Sequence, residues 1–435
     1  MARMGVLCLV VLVVIFSVFA PFAHAQITDD IATPTEGVGH DYIHLLSETV
    51  NLSNGSVSLR IDAPLPKGRG LTVPFAIGYD SNSVHHLRPG FYPNFGTVAW
   101  AANTGYFAQG GWSYVVPGVG NTEWDETDGN YPTFFTCNTW SNYVFRDPFG
   151  GLHSLRLGMQ TSANGTCPNS PVTSGGDQQV TASLTNSSLP QPVKVSTTDG
   201  AVYQFAIVGA SGPQGQSFAL PSYIEDRNGN KVSVTSGASS FVFTDTAGRS
   251  VVAANGFGPS GTTNTVSFSG ITYQITWKTV SASFSIPAPI WVGQAGGPDP
   301  NSDQCYPIPQ ANDAQVVISQ ITLPNGQKYK FYYGSDNPDP SLNNPYGLLS
   351  EIDYPTGGWV KYKWKFSDTP NELADYPGLI SAAASTCSTD PSAYCPAPVK
   401  DGCLYQYKTP VVAWRQVGFG GTSPASTQTF TYSTS

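Results

Sequence analysis

Residues 350–366 read SEIDYPTGGWVKYKWKF, and the second half of that stretch alternates without a break. Val360, Tyr362, Trp364 and Phe366 fall on one side, Lys361, Lys363 and Lys365 on the other. Successive side chains of a strand point to opposite faces, so the segment is a β-strand with an aromatic, buried face and a cationic, wet one. The residues before it, Pro355-Thr356-Gly357-Gly358, tolerate a tight reversal. Lysines on such a strand also guard a sheet edge against unwanted pairing.

The same unit, a glycine-bearing turn feeding an aromatic strand, recurs along the chain. Turns are expected at 147–151, at Asp199-Gly200, at Asp226 with Asn228 and Gly229, at Asp245 with Gly248, at Asn325-Gly326 and at Gly357. Alternating strands follow, such as Ala201, Tyr203, Phe205 and Ile207, or Tyr329, Phe331 and Tyr333. The segment 271–277 (ITYQITW) alternates as cleanly without the same turn. The turn glycines lie 29 (Gly200 to Gly229), 19 (to Gly248), 78 (to Gly326) and 31 (to Gly357) residues apart. A unit near twenty residues accounts for this, with the interval of 78 read as four short steps. Loop insertions near 286–311 and 368–399 complete the pattern. Periods of this kind mark repeat architectures, in which each unit buries its apolar face against its neighbours. The best helical candidate, 371–384, is broken by Pro377-Gly378.

Composition agrees. Of 435 residues only 11% are charged, against about 25% in ordinary domains. Gly (45) and Pro (35) are abundant and aromatics reach 12%, which is strand-and-turn chemistry. With 40% hydrophobic residues the chain can bury a core. A net charge of −9 gives no basic footprint, so nucleic acid is excluded as a partner.

The N-terminus carries an export signal: Arg3, an apolar run from Val6 to Ala20, and the small-x-small site Ala23-His24-Ala25. Cleavage is expected after Ala25, leaving Gln26 first and no membrane segment in the mature chain. A β-rich lead-in over 26–120 and a repeat region over 121–435 are then expected. Six cysteines remain: Cys137, Cys167, Cys305, Cys387, Cys395 and Cys403. An even number in an oxidising compartment points to disulfides. The expected pairings are Cys137 with Cys167, and Cys305 with one of the later three.

Four stretches resemble a known family. YIEDRNGNKVSV (223–234), FTDTAGRSV (243–251) and ITLPNGQKYKFYY with YGLLSEIDYPTGG (321–333 and 346–358) are similar to the YD repeats of bacterial Rhs proteins, teneurins and toxin-complex C components. VNLSNGSVSLRIDAPLPKGRGLTVPFAIGYDS (50–81) resembles the region preceding such repeats. The resemblance implies an all-β fold whose antiparallel sheet spirals into a shell wall, often around a toxic cargo. The family's aspartate-based self-cleavage block is missing; DPFGGL (147–152) is similar to part of it, lies too early, and is read as a β-turn.

Catalytic signatures are sparse. No nucleophile elbow, H-E-x-x-H helix or phosphate loop occurs. His40 and His44 would share a metal only on a helix, and their surroundings read as extended. Asp299, Asn301 and Asp303 alternate like calcium ligands but lack the glycine and distal glutamate. Trp124 with Glu123 and Asp125, in NTEWDETDGNY (121–131), forms the candidate glycan contact, the plainer reading being a solvated acidic loop. The expectation is therefore a secreted, non-enzymatic YD-repeat-like scaffold, shell wall or surface interaction protein, without cofactor or metal. Its expected partners are other repeat segments, cell-surface proteins or glycans. A glycan-binding or glycan-processing β-protein and a fragment of a toxin-delivery shell are the alternatives.

Overall fold

The computed structural model describes residues 42–44, 47–63, 71, 73–89, 98–102, 107–128, 135–161, 167, 171–185, 192–206, 216–284, 290–292, 311–367, 372–373, 402–405 and 409–432. Among them there is no α-helix, only the 3₁₀ turns Ser81–Ser83 and Pro340–Leu342, and the protein is all-β. The signal segment, Cys305, Cys387 and Cys395 lie outside the described residues.

One antiparallel sheet of sixteen strands runs from Ser174–Gly176 to Ser426–Thr429. Strand Trp359–Phe366 behaves as its alternation requires, with Val360, Tyr362 and Trp364 buried. Its lysine face is less wet than expected, because the loop at 334–348 folds over it. Lys361 reaches Glu351 and Asp339, and Lys363 donates to the Ser341 carbonyl.

All six glycine turns named from the sequence form, and all share one geometry. In the turn at 226–230 the Gly229 amide donates to the Asp226 carbonyl at 3.0 Å, and the Asp226 amide to Asn230 at 3.0 Å. This is a type I turn closed by a residue of positive φ, the three-residue hairpin with a glycine bulge. Gly229 (φ +82°) supplies that residue. The same two hydrogen bonds recur from residues 147, 197, 245, 323 and 354, each with glycine three positions on. Asp226 and Asp245 reinforce the turn by accepting the amides two and four residues ahead, which is why aspartate suits the first corner.

Five of these turns sit on one edge of the long sheet; the sixth, at 147–151, joins strands Phe135–Arg146 and Leu152–Ser154 of a separate five-stranded sheet. The interval from Gly248 to Gly326 does not hold four short units. On this edge it holds one further reversal, Ser269-Gly270, where both residues have positive φ, and then the long pair Ile271–Phe284 and Ala311–Thr322. A two-residue primed turn has no aspartate or proline to announce it. The connections 285–310 and 367–409 leave from the opposite edge. Within them Ile290–Val292, Gly402–Tyr405 and Glu372–Leu373 pair into a small sheet of their own, with Cys403 opposite Trp291.

The strands Tyr42–His44, Glu48–Asn51, Val57–Asp62, Ala76–Asp80, Trp112–Val115 and Ala108–Gln109 form a six-stranded sheet packed on the long one. Phe75 meets Phe268 at 5.1 Å between ring centroids, and Trp112 meets Phe331 edge-on at 4.7 Å. Hydrogen bonds pin this apolar interface: Trp112 Nε1 donates to the Tyr333 hydroxyl (2.7 Å), which donates to the Ile318 carbonyl (2.8 Å), while the Tyr79 hydroxyl accepts the Leu349 amide (3.0 Å). The polar ends of Trp112, Tyr333 and Tyr79 are thus satisfied at the seam.

Glycine substitutions separate turn strain from packing. A Cβ on Gly229 or Gly326 meets nothing, so Gly→Ala there is expected to lower stability by only about 1–2 kcal/mol in denaturant titrations. A Cβ on Gly55 lies 2.5 Å from Val411 Cβ and 2.9 Å from the Tyr432 ring, so Gly55→Ala is expected to cost clearly more.

Candidate functional site

The acidic stretch named as a glycan candidate is not a loop. Glu123, Trp124 and Asp125 lie within strand Gly118–Asp128, paired with Trp140, Thr139 and Asn138 of strand Phe135–Arg146. Alternation places positions 123 and 125 on one face of the ladder and 124 on the other. The run of polar residues hid the strand, since no apolar period marks it. The turn aspartates are likewise structural: Asp226 and Asp245 are held below the ordinary carboxylate range, first by the Asn230 and Arg249 side chains and then by turn amides. The Cys137–Cys167 disulfide is present, with Cα atoms 5.9 Å apart, and ties strand Phe135–Arg146 to the segment after Met159–Thr161. His44 is in strand Tyr42–His44, and His40 and the 299–303 segment lie outside the described residues. No group of three ligating side chains that could hold a metal occurs among the described residues.

Instead, the polar side chains gather in three joints that sequence reasoning missed, the first of them built from partners at opposite ends of the described chain. At the first, Glu48 of the six-stranded sheet and Arg415 of strand Pro410–Gly418 form an ion pair with both side chains fully buried. Arg415 Nη1 also donates to Gln428 Oε1 at 2.7 Å, and the Val412 amide donates to the Gly55 carbonyl at 3.0 Å. Tyr354 and Tyr362 beside the pair are pushed up by burial first, and then by the Glu48 charge.

At the second joint, His153 lies between two turn aspartates, with Nδ1 2.9 Å from Asp177 and Nε2 3.4 Å from Asp147. Asp147 closes the turn of the five-stranded sheet and Asp177 the turn before strand Val180–Leu184, so one imidazole bridges the two sheets. Burial pushes Asp177 up, but the Gln179 amide, His153 and the Val180 amide outweigh it and hold the carboxyl below its ordinary range. His85, buried, meets Asp313 at 3.1 Å in a related way; burial drives its pKa down against that carboxylate.

The third joint sits on the lysine face. Glu351 and Lys361 are directly opposed across strands Leu349–Asp353 and Trp359–Phe366, with Nζ 3.5 Å from Oε1. The other carboxyl oxygen accepts Asn337 Nδ2 at 3.1 Å, and that nitrogen also donates to Ser350 Oγ at 2.9 Å. The Asp339 amide donates to Asn337 Oδ1 at 2.8 Å. Burial raises the Glu351 pKa against the pull of Lys361 and Asn337.

No protein-family model matches the chain, and a search of curated proteins finds none similar to it. No helix among the described residues is long and apolar enough to cross a membrane.

Two measurements probe the buried charges. Arg415→Ala strands a buried carboxylate and is expected to destabilise by about 3–5 kcal/mol, while Glu48→Gln with Arg415→Met together cost much less; chemical denaturation of both variants checks this. Asp80 is buried and its pKa is raised from 3.8 to about 6, by burial against the Asn82 amide. The folded form therefore holds its proton more tightly, and stability falls as pH rises from about 4 to about 6, by roughly 2–3 kcal/mol. Asp80→Asn is expected to flatten that part of the stability–pH curve and to raise stability at pH above about 7.

Proposed function

We propose that this protein is an exported, non-enzymatic scaffold of the YD-repeat kind, acting as a wall or surface interaction module. The observation that carries the reading is the set of five hairpins of one geometry along a single edge of a sixteen-stranded sheet. Repetition of this sort distributes stability over many equivalent reversals rather than concentrating it around a catalytic cleft. The long connections leave the ladder at its opposite edge, away from the repeated turns. The first two polar joints support the same reading, because their side chains are engaged in fastening one sheet to another.

The test is export and inertness together. The chain recovered outside the cytoplasm is expected to begin at Gln26 by N-terminal sequencing, to unfold cooperatively, and to show no retention on a glycan array and no turnover of a glycosidase substrate panel. Glycan binding or hydrolysis that disappears in Trp124→Ala would overturn the scaffold reading in favour of the carbohydrate one.

A further inference from the structure

We propose that Lys361 and Asn337 become joined through an intramolecular amide bond, with Glu351 transferring the protons. The two nitrogens involved sit on the two oxygens of one carboxyl group, Nζ at 3.5 Å and Nδ2 at 3.1 Å. Asn337 and Glu351 are buried, so the carboxyl is screened from water. The Asp339 N–H, already 2.8 Å from Asn337 Oδ1, stands where negative charge would develop on that oxygen. Nucleophile, electrophile, proton carrier and oxyanion donor are thus all present in one cluster. The remaining partners of Lys361 are Asp339, at 3.9 Å, and the Trp359 ring, 5.1 Å away.

The chemistry balances without any other reactant. Glu351 takes a proton from the Lys361 ammonium, leaving a neutral amine. Nζ attacks Asn337 Cγ, and the carbonyl electron pair moves onto Oδ1 toward the Asp339 N–H. Glu351 then delivers its proton to Nδ2 and removes a second one from Nζ. The Cγ–Nδ2 bond breaks as the carbonyl re-forms, and ammonia leaves and takes the last proton from Glu351. Burial favours the protonated form of Glu351, as a group that must carry a proton mid-reaction requires. The product would bind the loop at 334–348 covalently to strand Trp359–Phe366.

Peptide mapping by mass spectrometry of the folded mature chain decides the matter. The expected result is a joined pair of peptides, one carrying Asn337 and the other Lys361, lighter than their sum by one ammonia. Reading the joined pair, not the intact mass, keeps ammonia loss elsewhere from counting. Lys361→Arg and Glu351→Gln are expected to yield only separate peptides. A chain collected from inclusion bodies is expected to be unlinked and to gain the link on refolding, which keeps the test open should Glu351→Gln not fold. Separate, full-mass peptides from the folded wild-type chain would overturn the proposal. So would a link that survives in folded Glu351→Gln, or one formed equally in the never-folded chain.

Discussion

An antiparallel sheet can continue only if each strand is turned back with the twist its neighbour needs. Here that constraint is met repeatedly by one device, a type I turn whose last residue adopts positive φ. The glycine is the indispensable part, since it alone enters that conformation without steric cost. Everything preceding it is variable: aspartate, threonine, leucine and tyrosine all occupy the first corner, and proline enters at the second. The sheet's length follows from this tolerance. Any short sequence that presents an alternating strand and a correctly placed glycine adds two more strands.

The second constraint concerns the sheet's apolar face. A long sheet with aromatic side chains on one side must cover them, and the six-stranded and five-stranded sheets supply the cover. Tyrosine and tryptophan suit such a seam because their rings bury area while their polar ends find partners across it. The Trp112–Tyr333–Ile318 relay shows the principle: a donor, a hydroxyl serving as both acceptor and donor, and a backbone carbonyl at the end.

Much of the ladder was legible in the sequence because its determinants are local. Alternation in residues 359–366 and glycine three residues after a turn's first corner are both written within a few positions. The Cys137–Cys167 pairing was also within reach, its partners being 30 residues apart. What was not legible is which polar side chains the fold brings together. Glu48 and Arg415 are 367 residues apart, and neither is unusual in its own neighbourhood. Asn337 and Ser350 read as ordinary loop and strand residues until the fold sets them on Glu351. The stretch 121–128 misled for a different reason: a strand without apolar alternation looks like a loop unless its partner strand is known.

The Glu48–Arg415 joint also bears on how the molecule can be made. A hairpin near the start of the chain finds its seat only on strands near residue 415, so through most of synthesis that seat does not exist. Contacts so far apart in sequence are slow to form, and the aromatic face stays open to other chains meanwhile. Maturation of the molecule is then governed by the last strands to arrive.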